Sequence, residues 1–349
     1  MRILYIAYPL LAATPQSCGG AEQVLCAVEA EMASRGHQTA LAAADGSACA
    51  GELVATGAPA SRLEQLDERQ QEQRAAILLA TRERRFDLIH DHSGSFWQHA
   101  AGIDLPVLAT LHLPPNLYSS DAFLDPAPNV FFNCVSESQA QAFRALPGFA
   151  GVVPNGIDVA QFPCSAQKED FVLWLGRICE EKGPHLAIAA ARLANVPLVL
   201  AGQVYPFRYH QEFAEREVMP QVDGQAMRFI TQPSHREKLD LLRQARALLV
   251  PSLVDETSSL VALEAMACGT PVIAFRRGAL PQIVQHGKTG FVVDSVEEMA
   301  AAIPLARGIS AAECRAHVSA HHALAAMVDG YERLYAQLLE RARAKREAA

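Results

Sequence analysis

The 349-residue sequence lacks several features that would assign it to common classes of protein. Its eight cysteines are scattered and include no C-x-x-C pair, which argues against a disulfide framework. Basic residues are not in excess: 30 lysines and arginines stand against 38 acids, giving a formal charge of −8. A typical nucleic-acid-binding protein is therefore excluded. No run of 18 apolar residues occurs, so no transmembrane segment is predicted, and any membrane contact would be peripheral.

Half of the residues are hydrophobic and 19% are charged, which is enough apolar material for two buried cores. Free cysteines in apolar runs act as small hydrophobic residues, so a reducing, cytoplasmic location is expected.

Short apolar strands alternate with helical segments throughout, a pattern typical of an α/β protein with parallel sheets covered on both faces. The segment 151–170, GVVPNGIDVAQFPCSAQKED, is rich in turn formers and interrupts this pattern. It predicts two Rossmann-like βαβ domains, 1–160 and 161–322, with a C-terminal helix over about 323–349. Ligands of such folds bind outside the carboxyl ends of the strands, so a cleft between the domains is the expected site. Strands are expected at 2–8, 39–44, 86–92, 106–112, 129–136, 170–176, 197–202, 227–230, 247–252, 271–275 and 290–293.

Gly19 and Gly20 lie in the loop TPQSCGGAEQ, directly before the first predicted helix. Backbone without Cβ lets a ligand approach closely, and the N–H groups of a helix N-terminus attract anions. The loop does not match G-x-G-x-x-G, so it does not predict a dinucleotide site. An ordinary strand-to-helix turn is the alternative.

Arg177 and Lys182 lie in the segment LGRICEEKGPH, after the apolar strand FVLWL. Two cations at the carboxyl end of a strand are suited to binding a pyrophosphate. The alternative is a solvated loop in which these cations pair with Glu180 and Glu181.

Glu256 and Glu264 are eight positions apart in VPSLVDETSSLVALEAMACGTP. We expect a helix capped by Ser258, with Ser259, Leu260 and Val261 offering free N–H groups to an anion. Glu256 then lies in the preceding loop and Glu264 on the helix. Since carboxylates accept hydrogen bonds from sugar hydroxyls, the pattern fits a sugar and a ribose joined by pyrophosphate.

These segments together resemble the retaining glycosyltransferases of family 4, which have the GT-B fold. The motif E-x7-E matches at Glu256 and Glu264, and EAMACGTPVIA, LGRICEEKG, VPNGID and GALPQIVQHGKTGFVV occur in the family's order. VDGYERLYAQLL resembles the closing helix, which crosses back to the N-terminal domain in this fold. Two segments depart from the family: Thr257-Ser258-Ser259 replace Gly-Phe-Gly, and Gln282 replaces an acid.

The resemblance implies a hexosyltransferase of carbohydrate biosynthesis that uses a UDP- or GDP-linked hexose and an unidentified small-molecule, glycan or lipid-linked acceptor. Glu264 would bind the ribose, and Glu256 would lie near the donor sugar with the amides of residues 258–261. Arg177 and Lys182 would neutralise the pyrophosphate, Gly19 and Gly20 would face it, and His112 would lie near the sugar. No D-x-D-like motif stands out, so neither a metal nor another cofactor is expected. The acceptor would attack the sugar on the same face that the leaving group vacates, so that the anomeric configuration is retained.

Other functions remain open. His90, His92, His99 and His112, with Asp91, could serve a metal-dependent hydrolase, although their spacing matches no strong metal motif. A GT-B-like epimerase or phosphorylase and a non-catalytic nucleotide-sugar-binding protein are further alternatives. The segment YPFRYH (205–210) would contact a ligand or be a packed loop.

Overall fold

A computed structural model describes residues 1–9, 11–15, 19–60, 63–119, 121–205 and 207–347. Gln16, Ser17 and Cys18 of the loop TPQSCGGAEQ, and Pro206 of the segment YPFRYH, lie outside the described residues. The chain divides into unit 1, Met1–Asn155 with Leu324–Ala349, and unit 2, Gly156–Ala323. The division falls between residues 155 and 156, whereas the sequence predicted it between 160 and 161. Both positions lie within the turn-rich segment 151–170.

The regular elements follow one another along the chain in an alternating order. Those before residue 156 are β1 (Arg2–Ile6), α1 (Gly20–Ser34), β2 (Gln38–Ala43), β3 (Glu52–Ala55), α2 (Leu66–Glu83), β4 (Leu88–Asp91), β5 (Val107–Leu111), β6 (Val130–Cys134), α3 (Glu137–Phe143) and β7 (Phe149–Val152). Those after it are β8 (Val172–Arg177), α4 (Pro184–Leu193), β9 (Leu198–Gln203), α5 (Arg208–Phe213), β10 (Met227–Thr231), α6 (His235–Gln244), β11 (Ala247–Val250), α7 (Leu260–Ala267), β12 (Val272–Phe275), α8 (Leu280–Ile283), β13 (Gly290–Val293), α9 (Val296–Leu305), α10 (Ala311–His321) and α11 (Leu324–Glu347).

Unit 1 contains a seven-stranded sheet in the order β3-β2-β1-β4-β5-β6-β7, in which every pair of neighbours is parallel. The predicted parallel α/β architecture is confirmed. Two strands, β3 and β7, were not predicted. Both are edge strands and are less buried than the central ones, so they lack a continuous apolar run.

Unit 2 contains a six-stranded parallel sheet in the order β10-β9-β8-β11-β12-β13. Its central strands bury both faces. Val172 and Trp174 contribute to one hydrophobic cluster, whereas Leu173 between them contributes to another. Because successive side chains of a strand point to opposite faces, burial on both sides explains why this strand is apolar at every position.

Helix α11 packs in unit 1, although it follows unit 2 in the sequence. Tyr331 and Tyr335 are fully buried there, and Arg35, the C-cap of α1, pairs with Asp329 at 2.6 Å and Glu332 at 2.7 Å. The predicted return of the C-terminal helix to the N-terminal domain is confirmed. No helix within the described ranges is both long and apolar enough to cross a bilayer.

Candidate functional site

Glu256 lies in the loop after β11, as predicted. Its side chain is 10% exposed, and its Oε1 accepts hydrogen bonds from Lys182 Nζ at 2.6 Å and Ser252 Oγ at 2.5 Å. The cation of Lys182 therefore pairs with Glu256 rather than with the two acids of its own loop. A carboxylate and a cation are held side by side at the carboxyl end of the sheet of unit 2.

The backbone around Glu256 is fixed by the segment that precedes α8. The N–H of Ala279 donates to the carbonyl of Glu256 at 2.7 Å, and the N–H of Gly278 donates to Asp255 Oδ1 at 3.2 Å. Gly278 has φ +53°, and an added Cβ would lie 2.2 Å from the backbone carbonyl oxygen of Glu256. Only glycine permits this close approach. The segment GALPQIV thus positions Glu256 from outside its own loop.

Arg177 is the last residue of β8, so its predicted place in the loop is wrong, and Lys182 lies in the loop that follows the strand. This loop docks against the loop after β11. The N–H of Leu253 donates to the carbonyl of Glu181 at 2.8 Å. Gly183 has φ +65°, and a Cβ there would lie 2.2 Å from the oxygen of Pro251. The Arg177 guanidinium lies over the ring of Tyr205, with its central carbon 5.2 Å from the ring centroid.

Helix α7 begins at Leu260 with Ser259 as its N-cap, so the predicted cap at Ser258 is wrong by one residue. Ser259 is extended and its side chain makes no capping bond, whereas its carbonyl accepts from Ala262 at 3.1 Å and Leu263 at 3.2 Å. The N-cap therefore forms through the backbone, and a rule based on the capping hydroxyl does not locate it. The N–H groups of Leu260 and Val261 belong to the first turn, where no intrahelical acceptor exists.

Glu264 lies on α7 and is almost fully buried, with a side chain that is 5% exposed. Its Oε1 accepts from Lys238 Nζ of α6 at 2.8 Å. A buried carboxylate requires such a partner, because an isolated charge is costly to desolvate. Lys238 was not predicted from the sequence, since nothing in the E-x7-E spacing indicates which neighbouring helix supplies the cation.

His112 follows β5 in unit 1 and ends a chain of buried aromatic side chains. Its Nε2 lies 2.9 Å from Nδ1 of His92, and His92 Nε2 lies 3.3 Å from His90 Nδ1. His90 in turn contacts Tyr335 Oη of α11 at 2.6 Å and Thr110 Oγ1 at 2.7 Å. The sequence predicted that His90 and His92 share one face, and their ring centroids are 4.1 Å apart. The imidazole of His112 is thus oriented by the core of unit 1.

Burial keeps these histidines neutral. Desolvation lowers the pKa of His112 from 6.5 to about 4, and it lowers the pKa values of His90 and His92 well below 6.5. Burial also raises the pKa of Asp91 to about 6, partly countered by hydrogen bonds from the backbone of Ser93 and Trp97. At neutral pH, His112 can donate or accept a hydrogen bond, but it carries no charge.

Gly19 is the N-cap of α1, and Gly20 is its first residue. An added Cβ on Gly19 would lie 1.8 Å from Oε2 of Glu22, so that carboxylate packs directly over the glycine backbone. Any anion that approached Gly19 would have to displace this side chain.

The metal-hydrolase alternative is not supported by the contacts of its residues. Asp91 Oδ1 and Oδ2 accept from the backbone N–H groups of Ser93 at 2.7 Å and Trp97 at 2.8 Å. The carboxylate therefore organises the turn after β4. His99 is exposed and lies outside the chain of His90, His92 and His112.

Two family models match the sequence and together extend over both units. The model for glycosyltransferase family 4 matches residues 18–161, and the model for glycosyl transferases group 1 matches residues 161–316. The chain belongs to glycosyltransferase family 4. The resemblance that rested on the glutamate pair and its flanking segments is confirmed.

Two relatives of known family align with part of this chain. Glycogen synthase of Mycobacterium tuberculosis is 29% identical over 59% of this chain and 56% of its own length. D-inositol 3-phosphate glycosyltransferase of Mycolicibacterium gilvum is 28% identical over 72% of this chain and 67% of its own. The chain thus spans between half and two thirds of these two proteins.

Solved structures establish the fold of this chain. Sucrose-phosphate synthase of Thermosynechococcus elongatus has a TM-score of 0.80 and 24% identity, with 97% of this chain and 99% of that protein covered. The Anabaena protein Alr3699/HepE, solved in complex with UDP and glucose, has a TM-score of 0.76 and 19% identity over 97% and 100%. These similarities confirm the predicted GT-B fold.

Proposed function

We propose that this protein is a retaining glycosyltransferase that moves a hexose-type sugar from a UDP- or GDP-linked donor to an acceptor hydroxyl. The observation that carries the proposal is the fixed pair of Lys182 and Glu256 beside the start of α7, with the buried Glu264 farther along that helix. Similarity to Alr3699/HepE, whose complexes contain UDP, glucose and UDP-glucose, supports a nucleotide-sugar donor.

We assign the pyrophosphate to Arg177, Lys182 and the N–H groups of Ser259, Leu260 and Val261, with Ser258 adjacent to them. Departure of a nucleoside diphosphate builds negative charge on its phosphate oxygens. Fixed cations and a helix N-terminus stabilise that charge without reorganisation during the reaction. We therefore propose that transfer requires no metal or other cofactor.

The two glutamates receive different roles. Glu264 has one oxygen engaged by Lys238, and we propose that it accepts from the ribose hydroxyls. Glu256 has Oε1 engaged by Lys182 and Ser252, and we place it near the donor sugar as an orienting carboxylate rather than a nucleophile. Attack on the same face that the leaving group vacates, assisted by the leaving phosphate, retains the anomeric configuration.

We propose that His112 of unit 1 contacts the donor sugar as a neutral hydrogen-bonding group. Its pKa of about 4 prevents it from acting as a cationic acid near pH 7. Gly19 and Gly20 are proposed to face the phosphate, which requires the carboxylate of Glu22 to move from Gly19.

The first test is binding of UDP, GDP, ADP and their hexose conjugates by calorimetry and thermal shift, with and without Mg²⁺. We expect one nucleotide to bind independently of Mg²⁺, and we expect Arg177→Ala to lose that binding. Arg228→Ala, which removes an exposed arginine of β10, is the matched control. Absence of binding across the whole panel would contradict the proposal.

The second test is transfer to an acceptor panel that includes D-inositol 3-phosphate, with the anomeric configuration of the product determined by NMR. Glu264→Ala should weaken donor binding, whereas Glu256→Ala and His112→Ala should reduce turnover more than binding. Donor consumption that needs no acceptor would indicate an epimerase or phosphorylase. Binding with neither transfer nor slow hydrolysis would indicate a non-catalytic binding protein.

A further inference from the structure

Unit 2 contains a group of metal-ligating side chains that the proposed transfer reaction does not use. The group consists of Cys179, Glu181 and His210, whose thiol, carboxylate and imidazole atoms all lie within 4.8 Å of one another. Cys179 and His210 are fully buried, whereas Glu181 is partly exposed. A cluster of three different ligand types around one point requires a structural explanation.

Within the described part of the chain, the buried imidazole of His210 lacks the hydrogen bonds that such a side chain usually makes. Its side chain is 0% exposed, and neither Nδ1 nor Nε2 has a hydrogen-bond partner among the residues that the structure describes. Its ring is surrounded by Tyr209 at 4.2 Å, Phe207 at 5.4 Å and Tyr205 at 6.2 Å between centroids. Buried imidazole nitrogens are ordinarily paired, as those of His90 are in unit 1. An electrophilic ligand would satisfy the nitrogen that lacks a proton.

The fold brings the three side chains together for a simple topological reason. Cys179 and Glu181 follow β8, and His210 follows β9 on the short helix α5. The two strands are parallel neighbours, so the segments after them leave the same edge of the sheet. The N–H of Ile178 donates to the carbonyl of Gln203 at 2.9 Å and holds the two strand ends together.

The chemistry of these ligands selects the metal. Thiolate, imidazole and carboxylate are the ligands that Zn²⁺ takes, whereas Mg²⁺ and Ca²⁺ prefer oxygen alone. Around a tetrahedral Zn²⁺ the ligand atoms would be roughly 3.3–3.6 Å apart, given metal–ligand distances of about 2.0–2.3 Å. Atoms already within 4.8 Å can reach this spacing by side-chain rotation. The exposed side of Glu181 leaves room for water as the fourth ligand.

We propose that Cys179, Glu181 and His210 form a binding site for Zn²⁺ or a similarly thiophilic divalent cation. Binding displaces the thiol proton of Cys179 to the buffer and forms bonds from the metal to sulfur, oxygen and nitrogen. The thiolate and carboxylate together neutralise the 2+ charge. Arg177, which acts electrostatically on both Cys179 and His210, therefore lies near a complex without net charge.

The ion has a structural role in this proposal. It cross-links the loop after β8 to α5, and it takes no part in the transfer chemistry proposed above. The site therefore does not depend on the identity of the donor, and its test does not depend on activity.

The test uses the full chain, stripped of metal with a chelator and kept reduced, and titrated with Co²⁺ as a spectroscopic probe. We expect one Co²⁺ per chain, with thiolate-to-cobalt charge-transfer absorption and the visible bands of tetrahedral cobalt, both lost when Zn²⁺ is added. Cys179→Ser should abolish the charge-transfer absorption. His210→Phe should lower the affinity by more than about 100-fold, because loss of an outer-shell partner alone costs about 10–100-fold.

Controls separate this site from binding at other side chains. Cys164→Ser and His235→Gln remove an exposed cysteine and an exposed histidine of the same unit, and both should bind Co²⁺ as the unaltered protein does. His210→Phe suits the surrounding aromatic rings and should stay folded, as circular dichroism can verify. Glu181→Gln provides a second weakening variant at a partly exposed position. Equal binding by Cys179→Ser, or no tetrahedral cobalt in the unaltered protein, would overturn the proposal.

Discussion

The ion pair between Lys238 and Glu264 offers a quantitative test of how unit 2 holds its second glutamate. The side chains are 20% and 5% exposed, and Nζ lies 2.8 Å from Oε1. Lys238→Met keeps most of the length of the side chain but leaves a carboxylate buried without its cation. Removing one partner of a buried pair costs about 3–5 kcal/mol, and the partial exposure of Lys238 places the expected loss near the lower end, at about 3 kcal/mol.

The assay is differential scanning calorimetry of the full chain, with peptide-level hydrogen exchange of α6 and α7 to assign the transition of unit 2. Assignment is necessary because a chain of two units need not unfold in a single two-state step. A loss of about 3 kcal/mol in a unit of this size should lower its Tm by about 6–12 °C. Arg276→Met removes an exposed pair with Asp294, 3.0 Å apart, and should shift the Tm far less.

A double-mutant cycle shows whether the two charges act on each other. Glu264→Met leaves a lysine that can reach solvent, and the double variant leaves two apolar side chains that pack without charge. Replacement of both partners is often close to neutral, so the double variant should be more stable than Lys238→Met alone. Additive losses, or a Lys238→Met effect no larger than that of Arg276→Met, would refute the reasoning.

Three further outcomes follow from other contacts. Gly183→Ala should destabilise unit 2 by about 3 kcal/mol in thermal unfolding, because at φ +65° the new Cβ would lie 2.2 Å from the carbonyl oxygen of Pro251. The control Gly287→Ala, at φ +77° with open space around the new Cβ, should destabilise it by only about 1 kcal/mol. His112 has its pKa lowered from 6.5 to about 4, so it stabilises the folded state above pH 6.5 and loses about 3 kcal/mol as the pH falls to 4. His112→Gln removes this titrating group. The slope of the unfolding free energy against pH between 4 and 6.5 should therefore decrease by the contribution of about one bound proton. Lys182→Met should reduce kcat by about 10²–10³-fold in a transfer assay, as expected for removal of one charge-stabilising group, and an unchanged kcat would contradict its assignment to the leaving group.

The positions of the two candidate glutamates on their secondary-structure elements could be predicted from the sequence, because the patterns that indicate them are local. Glu256 lies in a loop and Glu264 on a helix, as the spacing between the apolar strand and the helical pattern predicted. The N-cap of α7 was misplaced by one residue, since two adjacent serines are equivalent candidates by type and only the backbone conformation distinguishes them. The edge strands β3 and β7 were missed because partial burial leaves no periodic apolar pattern.

The tertiary contacts of the candidate site residues could not be predicted from the sequence in the same way. Lys182 was correctly identified as a cation of the loop after β8, but its contact with Glu256 joins residues 74 positions apart. Lys238 pairs with Glu264 from a helix that carries no motif of its own. Gly278 belongs to a motif segment, but nothing in that segment indicates that it contacts the backbone of Glu256. The cluster of Cys179, Glu181 and His210 likewise depends on two loops that become neighbours only when β8 and β9 pair.

The sequence by itself determined the family, the alternation of strands and helices, and the return of the last helix to the first unit, because apolar periodicity and short motifs are properties of contiguous residues. Tertiary structure alone decided which cation neutralises each carboxylate, which histidines become neutral, and where metal ligands converge. Those properties depend on distance and desolvation, and both are set by the packing of segments that are far apart in the chain.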